Sequence, residues 1–106
     1  MNKLDKIDVL CMATSATINA VEAWRKAKAH NEQNFCQVSY PCEIIRAMWR
    51  ELPRSLRKDL DVEMAMSRLF PHQSENENLI QLSKDLHVVH MWAHKKFREL
   101  DGFKNR

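Results

Sequence analysis

Residues 79–100 read LIQLSKDLHVVHMWAHKKFREL, and they decide the fold class. Apolar side chains stand at Leu79, Leu82, Leu86, Val89, Ala93, Phe97 and Leu100, always three or four residues apart. That period marks one face of an α-helix. A helix of this length is about 33 Å long at 1.5 Å rise per residue, enough to span a small domain. Ser74 followed by Glu77 is a capping-box pattern just upstream. Gly102 stands just past Leu100 and Asp101, where a helix-ending residue belongs. The spacing therefore predicts a helix over 76–101.

A second long helix is predicted over 3–29. Asn2 can cap it, and Asp5 places a negative charge in the first turn, where the helix dipole favours one. Leu4, Ile7, Leu10, Cys11, Thr14, Ile18, Val21 and Trp24 trace its apolar face. Ala13, Ala16, Ala20, Ala23 and Ala27 form a shallower strip that a partner helix can approach.

Between these two, residues 30–40 are polar and read as a loop, with Phe35 and Val38 tucked onto the core. Tyr40–Pro41 marks a boundary, because the residue before proline avoids the α region and proline suits a first helical turn. A short helix is predicted over 41–51, and Pro53 ends it. Residues 54–70 read as one bent helix or two short ones, ending at Pro71. The expectation is an all-α protein of one domain, 1–106. Two long antiparallel helices form a bundle closed by two or three short ones. A homodimer is an alternative way to cover the long helices' apolar faces.

Composition agrees. Apolar residues make up 44% and charged residues 29% of 106, as in a soluble globular chain. A single glycine leaves little material for tight β-turns. The three cysteines, Cys11, Cys36 and Cys42, are odd in number and do not form a disulfide framework. Reduced thiols and a cytoplasmic setting are expected. No run approaches the length of a membrane span.

Catalytic signatures are missing. One glycine cannot build a phosphate-cradling loop, and no nucleophile elbow occurs. The chain is expected not to be an enzyme and to need no cofactor. His87, His90 and His94 are spaced by three and four, and two imidazoles on one helix can share a metal. A complete site would need Cys36 or Cys42 as well, and the reading preferred is of histidines flanking the core stripe. Asp59, Asp61 and Glu63 lack the glycine of a calcium loop; they fit the first turn of a helix better.

The charge distribution is more informative than the net charge of +3. Arg46, Arg50, Arg54, Arg57 and Lys58 form a basic stripe around Trp49, and an acidic stretch follows. Arginine grips carboxylates and phosphates through its planar fork. Trp, Met and Arg are enriched at protein interfaces. Arg46, Trp49, Arg50, Arg54 and Arg57 are therefore expected to form one contact surface, and Val88, Met91 and Trp92 another. The function expected is binding and modulating a partner protein with an acidic surface, as an adaptor, regulator or inhibitor. A compact chain without chemistry of its own also fits a viral or mobile-element accessory factor. The alternative is a nucleic-acid-binding module, with the stripe on phosphates and Trp49 stacking on a base.

Overall fold

The computed structural model of the protein describes residues 1–27, 32–69 and 76–102. They form four helices: α1 (Lys3–Ala27), α2 (Glu32–Glu51), α3 (Leu60–Ser67) and α4 (Asn76–Gly102). No strand occurs among the described residues, and the architecture is the all-α bundle expected from the sequence. The molecule measures 47 × 23 × 20 Å. Its long dimension matches α4, since 27 residues at 1.5 Å each give about 40 Å.

Helix α1 is the centre of the packing, with α4 along one flank and α2 along another. It starts as its sequence suggests. The Asp5 amide donates to Asn2 Oδ1 at 2.9 Å, and the Asn2 amide donates back to Asp5 Oδ2 at 3.3 Å. This reciprocal pair satisfies donors that a helix start leaves bare. Ile7, Leu10, Thr14, Thr17, Val21 and Trp24 are buried along the helix. The two threonines are tolerated because each hydroxyl donates to a carbonyl one turn back, Leu10 O and Ala13 O, both at 2.6 Å.

Helix α4 runs antiparallel to α1, as two cross-links show. Ser83 Oγ donates to Glu22 Oε1 at 3.3 Å, while His90 Nδ1 lies 2.9 Å from Thr14 Oγ1. The stripe that opened the sequence reading is the buried one: Leu79, Leu82, Leu86, Val89 and Ala93 are in the core, with Phe97 and Leu100 packed at its edge. Each fully buried Leu or Val contributes about 1.5–3 kcal/mol, so this face anchors the bundle.

Helix α2 departs from expectation. Residues 32–40 are helical, and Pro41 lies inside a helix of 20 residues rather than at its start. The missing proline N–H removes one bond, to the carbonyl of Gln37, and interior proline costs about 3 kcal/mol. Burial offsets that cost. Val38, Cys42, Ile45, Trp49 and Leu52 are buried, with Phe35 packed against them, in steps of three and four that run through the proline. Trp24 and Phe35 meet edge to face with centroids 6.4 Å apart, and Lys6 Nζ donates to Glu51 O at the other end. Those two contacts make α1 and α2 antiparallel.

The stretch after α2 is neither one bent helix nor two short ones but a set of turns followed by the single helix α3. Turns over Pro53–Arg57 are closed by Leu56 N to Pro53 O and Arg57 N to Arg54 O. Asp59 then caps α3, its Oδ1 accepting from the amides of Asp61 and Val62. Asp61 and Glu63 fall in the first turn, as the dipole argument requires. The expected stop at Pro71, the cap at Ser74 and the end of the first helix at 28–29 lie outside the described residues.

Candidate partner-binding surface

Polar tethers hold α3 between α2 and α4. The Arg46 guanidinium donates through Nη1 to Leu69 O at 2.6 Å, and Trp49 Nε1 donates to Glu63 Oε1 at 3.1 Å. From the far end of α3, Arg68 Nη2 donates to Asp85 Oδ1 at 2.9 Å on α4, which also accepts from Gln81 Nε2. The Asp85 carboxylate is buried and Arg68 is half exposed. Its bond to Asp85 holds the Arg68 guanidinium still more firmly protonated than usual.

Both tryptophans expected at contact surfaces belong to the core. Trp49 is 3% exposed and Trp92 8%; their rings meet edge to face with centroids 4.8 Å apart. The physical reason is size. A bundle this narrow has few side chains large enough to bridge α2 and α4, and two indoles in an edge-to-face contact do so. Trp49 is therefore not placed to stack on a nucleic-acid base.

Each ring of the pair lines a different concavity. Trp92 lines a groove of about 1270 Å³, with Val88, Met91 and Lys95 from α4 and Leu56, Lys58 and Val62 from the preceding turn and α3. Met91 is 66% exposed and Val88 38%, and both share this lining with the buried Trp92. The groove's acidic groups are mostly engaged: Asp59 caps α3, and Glu99 pairs with Lys96 at 3.4 Å. Lys58, Lys95, Lys96 and Arg98 share the described lining with Asp59, Asp61 and Glu99, an excess of one positive charge.

Trp49 lines a separate cleft of about 310 Å³, with Arg46, Arg50, Arg57, Glu63, Met66 and Ser67. Three of the four stripe arginines thus converge, while Arg54 is exposed in the turn and is not on this lining. Arg57 Nε donates to Leu52 O at 2.9 Å. Arg46 and Arg57 therefore each hold a backbone carbonyl, a role the sequence does not display. Leu60, 78% exposed, and Met64 were also missed as surface residues. The signal was present: the buried α3 positions are Val62, Ala65 and Met66, which turns Leu60 and Met64 outward.

The histidines face different surroundings. His87 Nδ1 lies 2.8 Å from Ser83 O. A carbonyl only accepts, so the proton is on Nδ1. His90 Nδ1 lies 3.2 Å from Cys11 O as well as near Thr14 Oγ1, whose own proton goes to Leu10 O, so His90 has the same tautomer. His90 and His94 rings are 6.1 Å apart. Among the described residues no group of three or more His, Cys, Asp or Glu side chains gathers as a metal site. Cys36 and Cys42, on α2, do not join the histidines. Burial pushes the Cys42 thiol up to about 12, with the Arg46 charge opposing. Cys11 is raised by burial and by Asp8. All three thiols are free. No helix among the described residues is long and apolar enough to cross a membrane.

Comparison of the chain with protein-family models, curated proteins and solved structures finds no match.

Proposed function

We propose that this chain is a small non-enzymatic helical protein that binds and modulates another protein, as an adaptor, regulator or inhibitor. The observation that carries the reading is the groove beside Trp92. Met91 and Val88 offer apolar surface to an incoming side chain, and the described lining's four cations outnumber its three carboxylates by one. An acidic segment bearing apolar residues complements both features. Opposite charge would steer its approach, and the apolar contact would slow its release. Free thiols suit work in a reducing compartment such as the cytoplasm.

Nucleic-acid binding has less support. Trp49 is buried, and two of the stripe arginines hold backbone carbonyls. A strip of five phosphate contacts would give a log–log salt slope of about −4 to −5 on duplex DNA.

The test is affinity capture from lysate with and without nuclease, comparing the natural chain with Met91→Glu. Met91 is exposed, so the variant keeps the fold, checked by circular dichroism. The expected result is a protein captured in both nuclease conditions and lost with Met91→Glu. Equal capture by both chains would remove the groove from the argument. Protein recovery that depends on intact nucleic acid would favour the other reading.

A further inference from the structure

The cleft lined by Trp49 has a composition that a merely solvated face does not need. Arg46, Arg50 and Arg57 reach one concavity from two separate segments, α2 and the turn that follows it. Like charges repel, and a concave wall with low-dielectric backing focuses their field. Among the described residues of the lining one carboxylate, Glu63, faces these three arginines, and it accepts from the Trp49 indole at 3.1 Å. The described lining therefore carries an excess of two positive charges.

Two of the cations are also held in place. Arg57 uses Nε to hold Leu52 O at 2.9 Å, which fixes its guanidinium plane and leaves the two Nη groups outside that bond. Arg46 is fixed by the 2.6 Å bond of Nη1 to Leu69 O. A long side chain normally loses rotamer freedom when it grips a ligand, and here much of that loss has already occurred on folding. Arg50 is exposed at the mouth. Fixed guanidinium forks favour planar or tetrahedral oxygen anions, which accept paired hydrogen bonds, over a spherical halide.

We infer that this cleft is an oxyanion site that takes the carboxylate or phosphate group of a partner protein's side chain between Arg46, Arg50 and Arg57. The inference rests on the protein-binding reading only for what carries the oxyanion. The cleft and the Met91 groove share no lining residue, so each can be tested while the other is intact.

The test is an NMR titration of the full chain, following the arginine Nε–Hε signals and the Trp49 indole N–H. The probes are sodium acetate and sodium phosphate, each against sodium chloride at matched ionic strength. Saturable shifts are expected at Arg46, Arg50, Arg57 and Trp49, with Arg25 and Arg98 still. Arg50→Gln, at an exposed position, should weaken binding about fivefold, the upper end for one exposed ionic contact. Tighter acetate binding would identify an Asp or Glu side chain as the source, and tighter phosphate binding a phosphorylated one. Acetate and phosphate acting like chloride, or moving every arginine alike, would overturn the site. Displacement of both probes by a duplex oligonucleotide at far lower concentration would overturn the assignment to a protein side chain. Because no partner is present, a failed capture experiment and a failed titration are separate results.

Discussion

The indoles of Trp49 and Trp92 meet edge to face with centroids 4.8 Å apart and planes at 76°. One comes from α2 and one from α4, which otherwise pack mainly on α1. The pair therefore ties α2 directly to α4, and Trp49 also holds α3 through Glu63. Removing either ring should cost about 3–5 kcal/mol, as for other large buried aromatics. The Trp49→Ala and Trp92→Ala double-mutant cycle should show a coupling of about 0.5–1.5 kcal/mol. Trp49→Phe keeps most of the ring, loses the bond to Glu63, and should cost about 1 kcal/mol from that bond alone. Urea unfolding followed by circular dichroism measures all four variants; additivity of the two alanine variants would refute the coupling.

Pro41 gives an opposite expectation. It sits inside α2 with Cys42 and Ile45 buried just after it. Pro41→Ala restores an N–H donor toward the carbonyl of Gln37 and should stabilise the protein by up to about 3 kcal/mol. A higher midpoint in thermal or urea unfolding is the expected result. Destabilisation would mean that the proline ring's own packing outweighs the missing bond.

The Cys42 thiol sets a pH dependence. Its value is raised from an ordinary 9.0 to about 12 by burial. Below about 9 both folded and unfolded chains hold the proton, and the contribution is fully present. Between about 9 and 12 the unfolded chain releases the proton and the folded chain does not. Stability should therefore fall as pH rises, by about 1.4 kcal/mol per pH unit from this group. Cys42→Ala should flatten that part of the profile. Thiol labelling at neutral pH should leave Cys42 untouched until the chain unfolds.

The Arg68–Asp85 bond joins the end of α3 to α4. Arg68→Gln should lower the unfolding midpoint, because the buried carboxylate then keeps only Gln81 as its neighbouring donor. Asp85→Asn in the same chain should recover part of the loss. A double variant less stable than Arg68→Gln alone would contradict this account.

What was readable in the chain depended on how local the cause was. The Leu79–Leu100 stripe, the Asn2 cap and the place of Asp61 and Glu63 in a first helical turn follow from a few neighbouring residues, and they are found as expected, with Asp59 one step earlier as the cap. The helix over 32–40 was not read, although Phe35, Val38, Cys42, Ile45, Trp49 and Leu52 keep one helical period. The polar residues among them and Pro41 signal a break locally, and only packing against α1 outweighs that signal. Arg46 and Arg57 carried a correct charge and an incomplete role. Their carbonyl partners, Leu69 O and Leu52 O, are fixed by the fold. Trp49 and Trp92 were read as surface because a sequence lists tryptophan without its partner.

The central place of α1 has a consequence for synthesis. Its α2-facing flank can be covered as soon as residue 52 is available, but its α4-facing flank waits for residues 79–100. At roughly 5–20 residues per second the intervening 48 residues take about 2–10 s to make. For that interval the nascent chain carries an uncovered apolar helix flank, open to chaperones or to a second nascent copy.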